Sequence, residues 1–114
     1  MEKDLEARTK RFALGVIKLV TALPRGMASD VLARQLLRSA TSVGANYREA
    51  NRGVSRADFV NKIGIVQKEA AETQYWLELL IDSGLARAGL AAAALQEATE
   101  LLAIFTAIGK KLKE

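Results

Sequence analysis

The sequence lacks two residue types that carry much of protein chemistry, because its 114 residues include no cysteine and no histidine. Without cysteine there is no disulfide, no thiolate metal site and no cysteine nucleophile. Without histidine the chain lacks the usual general base near neutral pH and the commonest metal ligand. These absences exclude a Ser-His-Asp triad and the Glu-x-x-His di-iron sites that helical bundles often carry. We therefore expect no metal and no cofactor.

Signals for nucleotide binding, secretion and membrane insertion are also missing. Neither G-x-x-x-x-G-K-[ST] nor G-x-G-x-x-G occurs in the sequence, so ordinary nucleotide binding has no support. The first residues alternate in charge, and the longest uninterrupted apolar stretches, such as residues 90–95, fall well short of the roughly 20 residues that span a bilayer. A closed bundle of this length is also expected to offer no cleft for a pair of catalytic carboxylates. We expect a cytoplasmic protein that does not enter membranes and is not an enzyme.

Proline is scarce, and the few chain breakers separate four segments with helical periodicity. Apolar residues recur every three or four positions in each segment, and no alternating β-branched run is present. We predict helices over about residues 4–22, 29–52 and 55–83, with Ser29 and Ser55 as N-caps, and a fourth from between Ala86 and Leu90 nearly to the end. Short connections favour antiparallel neighbours. The predicted fold class is all-α, an antiparallel up-down-up-down four-helix bundle in a single domain over residues 1–114.

Each predicted helix has one apolar face that should form the core. The third helix has the most regular pattern, in which steps of four and three alternate as in a helix-packing seam. The predicted core residues are Leu5, Phe12, Val16, Leu19 and Leu23; Leu32, Leu36, Ala40, Val43, Tyr47 and Ala50; Phe59, Ile63, Val66, Ala70, Thr73, Leu77 and Leu80; and Leu90, Ala94, Ala98, Leu101, Phe105, Ile108 and Leu112.

The third helix carries a second apolar stripe that its core seam does not explain. On an ideal helix Ile65, Trp76 and Leu79 point about 110° away from that seam. Either the helix is central and buried on a wide face, or the stripe is a subunit interface, where tryptophan is enriched. Glu69 and Glu72 lie on the same stripe and, if buried, would need cationic partners such as arginines of a neighbouring subunit. These five residues are the candidate oligomer interface.

Basic charge is concentrated in the first half of the chain. Residues 1–57 hold eleven Lys/Arg and five Asp/Glu, a net +6, whereas residues 58–114 hold six and eight, a net −2. Opposite its apolar stripe the second helix has a row of arginines about 27 Å long, and arginine donates paired hydrogen bonds to phosphate. The alternative is a solvated face, or salt bridges between subunits to Glu69, Glu72 or Glu78. The candidate nucleic-acid-binding residues are Arg34, Arg38, Arg48 and Arg52.

Two runs of the sequence resemble a known protein family. The first is residues 35–50, QLLRSATSVGANYREA, and the second leads from Asp58-Phe59 through Lys62-Ile63 to residues 68–77, KEAAETQYWL. They resemble the four-helix-bundle proteins encoded by intervening sequences of bacterial 23S ribosomal RNA genes. That family is similar to the accessory variability determinant of diversity-generating retroelements.

The resemblance implies a barrel-shaped homopentamer, with basic retroelement relatives that bind nucleic acid and a reverse transcriptase. We therefore predict a non-enzymatic, homo-oligomeric and pentameric bundle that binds RNA or other nucleic acid through its basic face. The alternative is a protein-binding scaffold or adaptor without nucleic-acid affinity, whose partner is an acidic protein encoded nearby. A reverse transcriptase or another protein is also among the predicted partners. No catalytic role attaches to the residues in the matching motifs, which are Arg38, Asn46, Glu69, Glu72, Tyr75 and Trp76.

Overall fold

The structure, a computed structural model, describes residues 4–114 and confirms the predicted all-α fold. Four helices follow one another, α1 (Leu5–Thr21), α2 (Met27–Asn51), α3 (Arg56–Asp82) and α4 (Ala88–Leu112), and residues 4–114 contain no strand. The expectations for residues 1–3, that they join the same domain and carry no targeting signal, lie outside the described residues.

The four helices form a ring in which each packs against two neighbours. α2 packs against α1 and α3, and α4 packs against α3 and α1. Glu6, near the start of α1, accepts a hydrogen bond from Asn51 at the end of α2, and Arg56 at the start of α3 donates to the carbonyl of Leu112 at the end of α4. Neighbouring helices are therefore antiparallel, and the described bundle measures 44 × 20 × 20 Å.

One of the two predicted N-caps is wrong. α2 begins two residues before Ser29, which is buried inside the helix, and Gly26 is the N-cap with a φ of 154° that glycine adopts without strain. The Gly26 carbonyl accepts the first helical hydrogen bond from Asp30, with an N···O distance of 2.9 Å. Ser55 caps α3 as predicted, because its Oγ accepts a hydrogen bond from the backbone N–H of Asp58 at 3.1 Å. Sequence preference identified the side-chain cap but not the backbone one.

The core consists of the inward faces of all four helices, with one clear difference from the prediction. Leu90 is 48% exposed, and Ala91 is buried in its place. The first turn of α4 directs the small residue into the ring, while the leucine lies beside the loop that follows α1. Seven other predicted core residues are only partly buried at the edges of the core, namely Leu23, Leu32, Tyr47, Phe59, Ala94, Ile108 and Leu112.

Polar contacts define how the ring closes between α1 and α4. Arg8, whose side chain is 17% exposed, lies 2.7 Å from Oε2 of Glu97 and 2.9 Å from Oε1 of Glu100. Hydrogen bonds from Gln96 and from Arg8 lower the pKa of the Glu100 carboxyl. This cluster holds α1 against the middle of α4.

Among the described residues, α4 has the length and apolar composition that could cross a bilayer. Only 22% of the apolar stretch is buried within the bundle. Helices of ordinary bundles can be equally long and apolar, so a single such helix is weak support for a membrane span. The expectation that the protein stays out of membranes remains a prediction.

Candidate interaction surfaces

The predicted interface residues of α3 lie together on the side of the helix that faces α2. Ile65, Glu69, Glu72, Trp76 and Leu79 are all half-buried, unlike the fully buried core seam beside them. Trp76 packs partly against the core, so one edge of the stripe widens the buried face of α3. The remaining surface of these side chains is open to a partner.

The two carboxylates of this stripe are paired within the chain. Arg38 of α2 places its Nη1 3.2 Å from Oε1 of Glu69, and its Nη2 pairs with Glu72. Burial acts to lower the pKa of Arg38, but Glu72 and Glu69 outweigh it, and the pKa is raised. Trp76 Nε1 also donates to Glu72 at 3.4 Å. The sequence suggested cations from a neighbouring subunit; the neighbouring helix supplies one instead.

Exposed apolar side chains extend this surface on both helices. Tyr75 is 53% exposed, and its ring centroid lies 5.2 Å from that of Trp76. Val31 of α2 is 50% exposed, and the buried contact between Ser39 and Thr73 sets a register that brings Val31 level with the end of α3. We call this surface the α2–α3 patch, defined by Val31, Ile65, Glu69, Glu72, Tyr75, Trp76 and Leu79.

Sequence reasoning missed a second apolar surface, on α1. Leu14 and Ile17 are 50% and 43% exposed on the side of the helix opposite its buried residues. Lys10 and Lys18 are exposed on the same side, so the surface is apolar and basic. We call these four residues the α1 patch. The sequence does signal this patch, because Leu14 and Ile17 are three residues apart and lie off the core stripe of α1. The more regular core pattern made that signal hard to recognise.

The arginine row of α2 is largely neutralised by carboxylates. Beside the pairing of Arg38, Arg48 Nε lies 3.5 Å from Glu6 Oε1, and Arg52 Nη1 lies 3.8 Å from Glu6 Oε2. Arg34 is exposed, and the described residues offer it no ion-pair partner. All four guanidinium groups still reach solvent, but they do not form a continuous row of unpaired cations.

An open groove of about 750 Å³ runs between α1 and α2. The expectation that the bundle offers no cleft is therefore wrong in detail. The groove is mixed in charge, and Lys62 Nζ lies 2.7 Å from Glu49 Oε1 within it.

Across residues 4–114 there is no cluster of His, Cys, Asp or Glu that could hold a metal, and no buried side-chain polar atom lacks a hydrogen-bond partner. The expectation that the protein is not an enzyme stays a prediction.

Comparison with known proteins identifies the family of this chain and a solved structure with a similar fold. The family model for the 23S rRNA-intervening sequence protein matches residues 3–107. A crystal structure of a protein with unknown function from the S23 ribosomal protein family of Bacteroides thetaiotaomicron VPI-5482 is 39% identical, with a TM-score of 0.85. The match covers 92% of this chain and 97% of that one. No functionally curated protein matches the sequence. The chain therefore belongs to the 23S rRNA-intervening sequence protein family, as its two sequence runs predicted.

Proposed function

We propose that this member of the 23S rRNA-intervening sequence protein family is a non-enzymatic scaffold that assembles with copies of itself. The observation that carries the proposal is the presence of two unlike patches of exposed apolar side chains, one on α1 and one along α2 and α3. Monomeric proteins rarely expose contiguous apolar patches larger than a few hundred Å², and such patches mark association sites. The α2–α3 patch also has the half-exposed tryptophan and tyrosine that interfaces favour.

The two patches complement one another in charge. The α1 patch has Lys10 and Lys18 around its apolar residues, whereas the α2–α3 patch has Glu69 and Glu72, two carboxylates that share the single cation Arg38 and so leave a net charge of −1. Opposite charges at the edges of two apolar surfaces favour their meeting and oppose each patch meeting itself. The proposed contact therefore joins the α1 patch of one copy to the α2–α3 patch of the next.

A contact between two different patches is heterologous, and such contacts close into rings when the rotation between copies allows it. The family resemblance supports five copies. Every subunit of the ring then uses both patches, so none is left exposed at an end. In this arrangement the two ends of the ring and the surface of α4 stay free to bind a second macromolecule.

The mass of the protein in solution tests the assembly. Light scattering at micromolar concentration should give about 62 kDa, five times the 12.3 kDa chain. A mass near 12 kDa would rule out self-assembly. A mass near 25 kDa would replace the ring by a dimer, in which one patch meets its own copy.

We further propose that the assembled ring binds RNA through its basic face. The support is the net +6 of residues 1–57 and the exposure of Arg34, Arg48 and Arg52. Arg38 is assigned to the contact with Glu69 and Glu72 rather than to RNA. Binding of a labelled 23S rRNA fragment should weaken as salt rises, because released counterions drive such binding. Replacing all three exposed arginines by glutamate should abolish it, whereas unchanged binding would remove these residues from the RNA site.

The pairing of Arg38, Arg48 and Arg52 with carboxylates favours a second candidate function, an adaptor that binds protein without RNA. Capture of partners from cell extract, with and without ribonuclease, separates the two. Partners that survive digestion support the adaptor. Partners lost on digestion, but not in a mock-treated sample, support the RNA-binding ring.

A further inference from the structure

One end of the bundle has an incomplete fourth side. α1 has 17 residues, whereas α2, α3 and α4 have 25, 27 and 25. Because Arg8 pairs with Glu97 and Glu100, the start of α1 lies roughly level with Leu101 of α4. Among residues 4–114, α4 then continues for about 12 Å, from Ile104 to Leu112, with only Leu5, the first residue of α1, near this stretch. The described residues therefore leave this side of α4 open.

This opening forms a groove of about 680 Å³. We call it the bundle-end groove. Its apolar lining comes from all four helices, so it is a side of the ring rather than a dent in one helix. The large apolar residues along it are Leu5, Tyr47, Phe59, Ile104, Ile108 and Leu112.

The charged residues of the bundle-end groove are both cations. Arg56 and Lys111 line it, and no acidic residue does so among the described residues. Lys110 and Lys113 are exposed on the neighbouring turns of α4. Arg56 Nη2 donates to the carbonyl of Leu112 at 2.6 Å, which holds its guanidinium at the edge of the groove. An occupant with apolar side chains on one face and carboxylates on the flanks would match this lining.

We propose that the bundle-end groove binds an acidic amphipathic helix of a partner protein, about two turns long. The helix would lie beside α4 in the position that α1 leaves open, and so complete the fourth side of the ring. Leucine-like side chains one turn apart would contact Ile104, Ile108 and Phe59, because residues three and four apart share one face of a helix. Glutamates on its flanks would meet Arg56 and Lys111. This site is separate from both patches used in self-assembly.

Fluorescence anisotropy with two designed 14-residue peptides tests the proposal on the full chain. One labelled peptide has leucines at helical spacing and glutamates elsewhere, and the matched peptide has lysines in place of the glutamates. The acidic peptide should bind at least tenfold more tightly. The variant Arg56→Glu/Lys111→Glu should reverse that preference, while the control Arg25→Glu/Lys68→Glu, with the same charge change at exposed positions elsewhere, should retain it.

The apolar contact is tested by Ile108→Ser against Ala103→Ser, which lies exposed on α4. Only the first should weaken the acidic peptide, by about tenfold, with circular dichroism confirming that both variants remain helical. Equal binding of the two peptides, or an Arg56→Glu/Lys111→Glu variant that behaves as the control does, would overturn the proposal. Laurate that binds in the groove and displaces the peptide, with the same dependence on Arg56 and Lys111, would assign the groove to a lipid instead.

Discussion

α1 and α3 lie diagonally across the ring and differ in what they leave outside the core. α1 is the shortest helix, and its outward side bears Leu14 and Ile17 between lysines. α3 is the longest, and beside its buried seam it has a half-buried stripe with Trp76 and two glutamates. Within the described residues no Cα atom of α1 lies within 8 Å of a Cα atom of α3. Each therefore offers its surplus surface to a different side of the molecule.

In the proposed assembly, this difference would make self-association directional. If both surfaces were apolar and uncharged, each could pair with its own copy as well as with the other surface, and no single order of subunits would be favoured. One basic and one acidic surface on separated sides instead favour a head-to-tail contact that repeats. Substitutions that remove either surface test this directionality, and further substitutions separate the apolar, electrostatic and backbone contributions.

The largest expected effect comes from placing charge in the α1 patch. Leu14→Glu/Ile17→Glu should convert the oligomer to monomer, because two carboxylates would be desolvated against Trp76 and Leu79, and central apolar contacts each contribute about 2 kcal/mol or more. Light scattering measures the mass. The matched control, Ala92→Glu/Ala103→Glu on the exposed side of α4, should keep its oligomeric mass. An oligomer that persists in the α1 variant would remove α1 from the interface.

The second effect separates the two stripes of α3. In the monomeric α1 variant, Leu77→Ala should lower the free energy of unfolding by about 2–5 kcal/mol, because Leu77 is fully buried. Leu79→Ala, on the half-buried stripe, should cost less than about 1 kcal/mol in the same background. Urea unfolding measures both. Equal losses would mean that Leu79 belongs to the core of a single chain.

A smaller effect is expected from charge alone. Lys10→Glu/Lys18→Glu should weaken assembly about tenfold at low salt, and the difference from the natural sequence should shrink as salt screens the interaction. Sedimentation velocity across a dilution series measures the change. A loss of assembly that salt does not reduce would contradict the electrostatic part of the account, whereas the apolar part would still stand.

The smallest effect concerns glycines within the helices. A Cβ at Gly15 or Gly64 would meet open space, so alanine there should stabilise the monomeric variant by about 0.5–1 kcal/mol. Gly44 differs, because its Cβ would lie 3.0 Å from Oγ1 of the buried Thr9. Gly44→Ala should therefore lack that gain. Thermal unfolding compares the three variants, and equal stabilisation of all three would show that α1 and α2 are not closely packed at this point.

Much of the fold could be predicted because periodicity and capping are local properties. The regular seam of α3 and the Ser55 cap are readable from spacing alone. The cap at Gly26 was missed because the glycine contributes only its backbone conformation. Leu90 was misplaced because its neighbour Ala91, although less apolar, faces the ring. Local pattern determines which helices form, but the rotation of a helix end depends on its neighbours.

The interaction surfaces were less predictable because they depend on distances between helices. Spacing placed Glu69 and Glu72 on the stripe with Trp76, but it could not show that Arg38 reaches both from α2. The bundle-end groove depends on the difference in length between α1 and α4, which becomes visible only when the register of the two helices is known. Long-range contacts of this kind leave no periodic signal in a single sequence.

Assembly through two different faces is tested by mixing two variants that each lack one patch. Leu14→Glu/Ile17→Glu lacks the α1 patch, and Trp76→Glu/Leu79→Glu lacks the α2–α3 patch. Light scattering should find each variant monomeric alone. Their equimolar mixture should give a heterodimer near 25 kDa, because one intact patch of each remains to form a single head-to-tail contact. A mixture that stays monomeric, or a single variant that dimerises by itself, would contradict assembly through two different faces.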